Sequence, residues 1–590
     1  MLMTATSSSR RKSWDAVNVV TPYLKRYALR IALGAAALIL VDFLQLWIPR
    51  VVKKAVDDLQ NGVATHTGLL RYAAYIACLA LGIGGFRFVW RHLLLGFSRL
   101  LEMHLRNQLF AHTLTLDRAF FQRKTTGEIM ALATNDLTTV QLASGMGLVA
   151  LVDAVVMTLA AIGFMAYINP LLTAIAIAPL PILAVFTRFL TGLVHQRFKK
   201  VQEQFSSLTE FARSTISSIR LIQAYNQESS QARRFNAMGE AYVHSNIRLA
   251  IVHGTLTPVS ALVGNLSLLL VILFGGRMTI AGEITTGDFV AFISYLYMMA
   301  WPMMAIGWVA NLFQRGMTSL ERIQSMLAEA PSLKDVPAPA SPVPMSGGIA
   351  IRNLSFTYPN QGNPALKQIN LDIRPGVLGI VGRTGAGKTT LCHLLTRLYP
   401  VPDGTILFGQ TDVNILPLAQ VREAIAYVPQ EVLVFSDTIA FNIAMGKPQA
   451  GPEEIETVAR AAAIHEEIVA MKEGYQTRIG ERGVKLSGGQ RQRLAIARAL
   501  LLDRPIIIID DGLSAVDMET EHAIIGAISA YLKGRTCLIV SHRVAPLVDA
   551  REIVVMDRGR IVAQASHAEL LQTNAFYATI YKQQTTLHRG

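Results

Sequence analysis

The sequence predicts a multi-domain membrane protein in which a six-helix, all-α transmembrane domain precedes an α/β domain of the phosphate-loop type. Of its 590 residues, 51% are hydrophobic and only 16% are charged, whereas soluble domains carry about 25% charged residues. Six long apolar stretches fill much of the N-terminal half. In the C-terminal half, a G-x-x-x-x-G-K-T motif follows a short apolar run, which is typical of a strand that leads into a phosphate-binding loop.

This composition excludes a disordered chain, a coiled coil and an ordinary cytosolic enzyme. The formal net charge of +14 suits either a nucleic-acid partner or cytoplasmic loops beside anionic lipid. The apolar stretches favour the lipid bilayer, so we expect no nucleic acid as a partner. The cysteines Cys78, Cys392 and Cys537 lie far apart and predict neither a zinc site nor a disulfide framework. The basic N-terminus lacks the apolar segment of a cleavable signal peptide.

Each apolar stretch approaches or exceeds the ~18–20 residues that a helix needs to cross a bilayer. Pro258 and Asn265 interrupt the fifth stretch. The alternative is that these stretches are buried core helices of a soluble protein. Six such stretches in succession favour a membrane domain over this alternative. The stretches are Ile31–Ile48, Tyr72–Trp90, Leu142–Ile168, Pro170–Thr187, Gly254–Phe274 and Phe289–Phe313.

The distribution of Lys and Arg predicts the orientation in the membrane. Basic residues collect before the first stretch, between the second and third, and after the fourth, and positive charge is typical of cytoplasmic loops. Both termini are therefore expected in the cytoplasm, with outer turns at Asp57–Thr67, Asn169 and Gly276–Asp288. The two inner connections are long and poor in Gly and Pro, which predicts helical extensions of the spans.

These patterns divide the chain into an N-terminal cytoplasmic or interfacial segment (1–27), a transmembrane domain (28–328), a Pro-rich linker (329–348) and a nucleotide-binding domain (349–590). Prolines in the linker disfavour a helix. Beyond the linker, short β-branched runs alternate with helical stretches, which predicts a largely parallel sheet. The predicted strands are Leu378–Val381, Ile406–Phe408, Ala424–Val428, Ile506–Ile509, Thr536–Ser541 and Ile553–Asp557.

The phosphate loop follows the first of these strands. Its glycines allow backbone N–H groups to surround a phosphate at a helix N-terminus, where the helix dipole favours an anion. Lys388 is expected to reach the β- and γ-phosphates, and Thr389 to ligate Mg²⁺. Asp510 ends an apolar strand and is the candidate for a second Mg²⁺ contact, with helix capping as the alternative. The candidate phosphate-binding residues are Gly382, Arg383, Thr384, Gly385, Ala386, Gly387, Lys388, Thr389 and Thr390.

A second glycine motif, Leu486-Ser487-Gly488-Gly489-Gln490, precedes a basic amphipathic helix. It resembles the signature motif of ATP-binding cassette proteins. The other sequence elements of that family also occur along this chain, in the order that the family has. The resemblance implies ATP and Mg²⁺ as cofactors, and two cassettes that enclose two ATP molecules between the phosphate loop of one subunit and the signature of the other. It assigns Tyr358 to adenine stacking, Gln430 to Mg²⁺ sensing, Glu481 to the segment before the signature, Asp517 to the D-loop and His542 to the γ-phosphate.

The N-terminal half resembles the membrane part of exporter half-transporters. Phe120–Asp136 is similar to the first intracellular loop, and Ser218–Asn226 to the second, whose short coupling helix docks on a cassette. The whole chain is similar to bacterial multidrug-resistance-like exporters that pair two different half-transporters. The resemblance implies ATP-driven export of hydrophobic or amphipathic small molecules across the cytoplasmic (inner) membrane, with the cassette in the cytoplasm. A homodimeric lipid or peptide exporter and an ATP-gated regulator remain alternatives.

One position departs from the family pattern. Asp511 follows Asp510, where hydrolytic sites of the family carry a glutamate that orients water. An aspartate is one methylene shorter, and ~1 Å of misplacement can slow a reaction ~10²-fold. We therefore expect this chain's own site to be impaired and its partner to be a half-transporter with an intact glutamate. A tolerated conservative replacement is the alternative.

Charged residues inside membrane spans are candidates for function because their burial there is unfavourable. Asp42 in the first span and Asp153 in the third are candidates for a cargo cavity, with helix packing as the alternative for Asp153. Met298 and Trp301 in the sixth span suit adaptable apolar contacts with cargo, and a lipid-facing or packing surface is the alternative. Pro302 beside them predicts a kink.

Overall fold

The computed structural model describes residues 4–333, 335–337, 348–359, 361–480, 484–512, 518–531 and 534–586. It divides into two compact units. The membrane unit contains Met1–Thr113 and Gly127–Ala328, and the cassette unit contains Leu114–Thr126 and Glu329–Gly590. A short segment from the N-terminal half of the sequence therefore packs with the nucleotide-binding part of the chain.

The described residues of the membrane unit form helices joined by short turns. Four π-helical turns connect successive helices without a loop, at Arg91–Leu95, Leu132–Asp136, Ala143–Gly147 and Val271–Gly275. In chain order, and including α5 of the cassette unit, the helices are α1 (Thr4–Arg26), α2 (Ala28–Gln60), α3 (His66–Trp90), α4 (Gly96–Thr115), α5 (Arg118–Arg123), α6 (Thr126–Ala131), α7 (Leu137–Leu142), α8 (Leu148–Ile168), α9 (Pro170–Ile177), α10 (Leu180–Ser217), α11 (Ile219–Ala224), α12 (Glu228–Leu270), α13 (Gly276–Ile280), α14 (Thr286–Met298) and α15 (Ala300–Leu327).

The six apolar stretches of the sequence all lie in these helices. Among the described residues, four helical stretches are long and apolar enough to cross a membrane, namely Ala28–Gln60, His66–Thr115, Thr126–Ile168 and Ala261–Ile280. The fourth and sixth predicted spans fall in α9–α10 and α14–α15, where several side chains lie outside the described residues. The turns that join α2 to α3, α8 to α9 and α13 to α14 fall within the three predicted outer turns.

The helical extensions predicted for the inner connections are confirmed. α10 has 38 residues and α12 has 43, and at ~1.5 Å per residue both are much longer than the ~30 Å hydrocarbon core of a bilayer. α12 continues without a break through Pro258. The helix is interrupted just before Pro302, since α14 ends at Met298 and α15 begins at Ala300. Pro302 has no N–H to donate to the carbonyl of Met298, which favours an interruption of the helix at this point.

The cassette unit contains two sheets. Its strands are β1 (Ile349–Phe356), β2 (Leu366–Ile373), β3 (Gly376–Gly382), β4 (Ile406–Phe408), β5 (Thr411–Asp412), β6 (Ile425–Val428), β7 (Ile506–Asp510), β8 (Thr536–Ser541), β9 (Glu552–Asp557) and β10 (Arg560–Ala565). Its further helices are α16 (Lys388–Leu395), α17 (Leu418–Glu423), α18 (Ile439–Ala444), α19 (Pro452–Ala461), α20 (His465–Val469), α21 (Gly488–Leu501), α22 (Met518–Tyr531), α23 (His567–Thr573) and α24 (Ala575–Thr586).

The larger sheet has the strand order β10-β9-β3-β8-β7-β6 and is parallel apart from β10. This confirms the predicted parallel sheet. Ile406–Phe408, however, belongs to a separate antiparallel sheet with the order β2-β1-β4-β5. The sequence prediction missed β1 and β2 because only one face of each is consistently buried, so neither has the continuous apolar run of the parallel strands.

The parallel strands bring the sequence motifs to one edge. The phosphate loop follows the carboxyl end of β3, Gln430 lies just beyond β6, Asp510 ends β7 and His542 follows β8. Carboxyl ends of parallel strands share one edge of a sheet, which is where α/β proteins bind ligands. The strands themselves are almost entirely buried, so this edge is rigidly supported.

Candidate nucleotide-binding site

The phosphate loop turns through two glycines with left-handed backbone conformations, Gly385 at φ +80° and Gly387 at φ +98°. A Cβ atom on Gly387 would lie 2.8 Å from the carbonyl oxygen of Ala365, so only glycine fits there. The Nζ of Lys388 donates to the carbonyl oxygens of Gly382 at 2.8 Å and Arg383 at 3.1 Å. The loop therefore curls around the lysine at the start of α16, as a phosphate cradle requires.

Burial lowers the pKa of Lys388, and the opposing attraction of Asp511 and Asp510 is too weak to restore it. The ammonium group is thus poorly solvated and close to two carboxylates. An anion in the loop would add to the favourable interactions of this cation. The residues present therefore fit a bound polyphosphate.

Asp510 is fully buried, and its carboxylate accepts hydrogen bonds from two hydroxyl groups. Thr389 donates its hydroxyl to Oδ1 at 3.1 Å, and Tyr427 donates its hydroxyl to Oδ2 at 3.3 Å. Burial raises the pKa of Asp510, whereas these two hydrogen bonds lower it. The carboxylate and the Thr389 hydroxyl form a pair of oxygen ligands of the kind that Mg²⁺ prefers, beside the phosphate cradle.

Tyr358, the predicted adenine-stacking residue, contacts α16, the helix that follows the phosphate loop. Its hydroxyl is 3.0 Å from the Oγ1 of Thr390, and its ring meets the rings of Phe356 and Tyr399 edge-on at 5.1 and 5.2 Å. These aromatic contacts hold the ring in place beside the phosphate loop. The structure thus brings together Tyr358, the phosphate loop and Asp510.

Asp511 has a left-handed backbone conformation with φ +53°, which is uncommon for a residue other than glycine. Its N–H donates to the carbonyl oxygen of Val540 at 2.8 Å, and its own carbonyl accepts from Gln492 at 3.3 Å. Its Oδ1 lies 2.7 Å from Nδ1 of His542. The backbone is therefore fixed between β7 and β8, and the carboxylate faces His542, the residue predicted to contact the γ-phosphate.

The signature motif begins α21, and its polar groups bond within a helix cap. Ser487 accepts from the N–H of Gln490 at 3.1 Å, while Gln490 accepts from the N–H of Ser487 at 2.8 Å. Gln490 also donates to Glu467 at 2.7 Å. Leu486 is buried, and Ser487 and Gly488 are exposed, with Gly489 half-buried. These hydrogen bonds of the signature are made within the α21 cap and to Glu467 of α20, and none of them is to the phosphate loop.

Three further predicted residues have a different status. Gln430 is exposed beyond β6. Asp517 and Glu481 lie outside the described residues, as does the middle of the predicted Pro-rich linker. The D-loop assignment and the acidic position before the signature therefore stay predictions.

The short helix α5 packs on the cassette unit through three polar contacts. Asp117, which caps the helix, accepts from the backbone and side chain of Ser332. Arg118 contacts Nε2 of His393 at 3.2 Å, and Arg123 pairs with Glu329 at 2.5 Å. His393 lies on α16, the helix that begins with Lys388. A loop of the membrane half thus contacts the helix that carries the phosphate-binding lysine.

Burial and the nearby Arg118 guanidinium lower the pKa of His393 to about 4, so the ring is neutral at pH 7 and accepts from Arg118. Between this value and the usual 6.5, the unfolded chain binds more protons, so stability falls as the pH falls through that window. We expect a loss of ~1–2 kcal/mol from about pH 7 to about pH 5.

His393→Gln supplies an acceptor that does not titrate. We expect its thermal midpoint to fall less between the same two pH values than that of the unchanged protein. An equal fall in both proteins would contradict this role for His393. His66→Gln, at the exposed start of α3, is the matched control and should leave the pH dependence unchanged.

The predicted cavity residues are only partly brought together. Asp42 on α2 is 1% exposed and interacts electrostatically with Asp153 on α8 and with Arg87 on α3. Trp301 lies near Asp153 and is 59% exposed. Met298 instead packs, half-buried, against the core around Phe292, which is the packing alternative for that residue.

Sequence reasoning missed several residues of the site. Tyr427 lies within a predicted strand, and nothing in its neighbours distinguishes a hydroxyl aimed at Asp510 from a packed ring. His393 and Arg118 are in contact although they are 275 positions apart. Gln584, which bonds to the backbone of His542 and Val544, is one of two adjacent glutamines near the C-terminus. No motif connects such residues, so only the fold could identify them.

Comparison with known proteins agrees with this geometry. The family model described as the ABC transporter transmembrane region matches residues 31–303, and the model described as ABC transporter matches residues 366–514. The chain belongs to the ABC transporter family. It is a multi-pass protein of the bacterial inner membrane with a cytoplasmic ATPase cassette, and its ATPase activity is coupled to transport.

Relatives of the ABC transporter match almost the whole chain. The multidrug resistance-like ATP-binding protein MdlA of Escherichia coli (strain K12) is 39% identical over 95% of both chains. The probable multidrug resistance ABC transporter ATP-binding/permease protein YheI of Bacillus subtilis (strain 168) is 37% identical over 95% of this chain and 96% of that protein. An ATP-dependent lipid A-core flippase of Nitrosococcus oceani is 32% identical over 85% of this chain and 84% of its own length.

A solved structure has the same fold. The structure of a bacterial Atm1-family ABC exporter with ATP bound matches with a TM-score of 0.79 and 26% identity, over 95% of this chain and 99% of that one. The predicted order of a helical transmembrane domain followed by a phosphate-loop ATPase cassette is therefore confirmed, and the chain is an exporter of the ABC type that binds ATP.

Proposed function

We propose that this ABC transporter exports amphipathic or hydrophobic compounds, such as drugs or lipid-like molecules, as one subunit of a heterodimer whose own ATP site hydrolyses slowly. The observation that carries the proposal is Asp511. Its backbone is held between β7 and β8, so the shorter side chain has little freedom to move toward a water molecule. A base must stand within hydrogen-bonding reach of the proton that it removes.

The roles proposed for the site residues come from the motifs that they resemble, and the contacts of Lys388, Thr389 and Asp510 support them. Lys388 and the phosphate loop hold the ATP phosphates, and Tyr358 holds the adenine. Thr389, Asp510 and Gln430 would hold Mg²⁺, which would neutralise phosphate charge when bound. His542 faces the γ-phosphate and is oriented by Asp511.

Two features support a two-chain assembly. The exposed Ser487 and Gly488 begin α21 and offer a helix N-terminus for a phosphate held by the loop of another chain. At the turn between α10 and α12, Leu221 is 60% exposed and Tyr225 is 70% exposed. Apolar side chains in this position suit a coupling helix that docks on a cassette of the partner.

The names of the relatives indicate two classes of cargo. Multidrug resistance-like proteins favour drugs, and the lipid A-core flippase favours a lipid, with a homodimer as its simplest assembly. The ATP-gated regulator remains the other alternative. ATP-dependent accumulation of labelled drug or lipid in inside-out vesicles that contain this chain and a candidate partner tests all three. A regulator would show no vectorial accumulation, and a homodimeric exporter would accumulate cargo without the partner.

The cavity is proposed to contain Asp42, Asp153 and Trp301. Asp42→Asn should reduce transport of a cationic drug several-fold more than that of a neutral one, because only the carboxylate attracts a cation across a poorly polarisable space. Transport rates of the two cargoes in vesicles measure this. Glu240→Gln, which removes an equally negative but exposed group on α12, is the matched control. Equal losses for both cargoes would assign Asp42 to helix packing.

A further inference from the structure

The loop after β8 is held at three successive residues by three different elements. His542 faces Asp511 at 2.7 Å, as described above. Arg543 pairs with Glu521 of α22 at 2.8 Å, and Glu521 is only 1% exposed. The third contact comes from the C-terminal helix α24. This loop, residues 542–544, is called the switch loop below.

Gln584 of α24 bonds to the backbone on both sides of Arg543, immediately after His542. Its Oε1 accepts from the N–H of Val544 at 2.9 Å, and its Nε2 donates to the carbonyl oxygen of His542 at 3.1 Å. A carboxamide presents one acceptor and one donor side by side. It therefore satisfies a backbone N–H and a backbone carbonyl at once, which neither a carboxylate nor an apolar side chain can do.

The helix that carries Gln584 is itself firmly attached. Tyr577 is fully buried, its N–H donates to Asn574 at 3.0 Å, and its hydroxyl lies 2.7 Å from Nδ1 of His567. Phe576, in the same turn, places its ring 5.2 Å from the guanidinium of Arg383 in the phosphate loop. α24 thus contacts the phosphate loop near its first turn and the switch loop near its last.

We propose that Gln584 is a positioning residue for His542. By fixing the backbone immediately after the histidine, it sets the distance between the imidazole and the γ-phosphate of ATP. The C-terminal helix becomes a part of the nucleotide site, although it contains no residue of a cassette motif. This inference rests on the proposed role of His542 toward the γ-phosphate.

The consequence is a preference for ATP over ADP that depends on Gln584. The full-length chain in lipid nanodiscs is titrated with a non-hydrolysable ATP analogue and with ADP, and the ratio of the two affinities is measured. Gln584→Glu keeps the acceptor for Val544 and places an oxygen against the carbonyl of His542. We expect the ATP analogue to bind about fivefold more weakly, in line with the loss of one hydrogen bond, and the affinity for ADP to stay unchanged.

Two variants control for charge. Gln583→Glu introduces the same charge on the exposed side of the same helix and should leave the affinity ratio unchanged. Gln584→Leu removes both hydrogen bonds without adding charge and should lower the ratio as Gln584→Glu does. A ratio that falls with Gln583→Glu, or only with the charged variant at 584, would mean that long-range repulsion is the cause and would overturn the proposal.

His542→Ala separates this inference from the role on which it rests. If His542→Ala leaves the affinity ratio unchanged, the γ-phosphate role of His542 is wrong. If His542→Ala lowers the ratio but both variants at 584 retain it, the positioning role of Gln584 is wrong. Equal weakening of both nucleotides together with a lower thermal midpoint would show that Gln584 only stabilises the fold, and it would also overturn the proposal.

Discussion

Purified alone, this chain is expected to hydrolyse ATP ~10²-fold more slowly than in complex with a half-transporter that carries the glutamate. In the proposed assembly, each composite site would take its phosphate loop from one chain and its signature from the other. Two copies of this chain would form two sites with Asp511 at the base position. A heterodimer would instead contain one such site and one site in which the glutamate of the partner meets the intact signature of this chain. Steady-state ATP turnover of the chain alone and of the complex measures the difference.

Single substitutions in the complex test the same asymmetry. Asp511→Asn should change turnover only modestly, whereas Glu→Gln in the partner should nearly abolish it. Ser487→Ala should also be severe, because Ser487 would serve the competent site. Since Ser487 caps α21, Ser566→Ala is the matched control, as Ser566 forms the same kind of capping box at α23 outside the site. Rapid turnover by the chain alone, abolished by Asp511→Asn, would contradict the heterodimer and make Asp511 a working base.

Lys388→Ala is expected to weaken ATP binding at this chain's own site by about 10- to 100-fold, the range for loss of a charged hydrogen bond. The ammonium group is the cation within the phosphate cradle, and its donation to the carbonyls of Gly382 and Arg383 also shapes the loop. Photolabelling of the chain with an ATP analogue measures the loss.

Lys472→Ala, which removes an exposed lysine of the same unit, should leave the labelling unchanged. The thermal midpoint without nucleotide shows whether Lys388→Ala also loosens the loop. Undiminished labelling of the Lys388 variant would contradict its assignment to the phosphates.

Much of the fold could be predicted from the sequence because the decisive patterns are local. A membrane span is one continuous apolar stretch, and the phosphate loop is one run of residues between a strand and a helix. The parallel sheet followed from short apolar runs such as Thr536–Ser541, which are buried on both faces. The antiparallel strands β1 and β2 were missed because their pairing joins segments whose side chains alternate between buried and exposed positions.

What the sequence by itself determined is the chemistry of each motif and its order along the chain: the phosphate loop, Asp510, the signature, and the departure at Asp511. The tertiary structure decided which of these groups meet. Thr389 and Asp510 are 121 positions apart, Arg118 and His393 are 275 apart, and Gln584 reaches across 40 positions to the switch loop. Such contacts depend on how strands and helices pack rather than on any repeating pattern, because a side chain that bonds across the fold has no constraint on its immediate neighbours in the sequence.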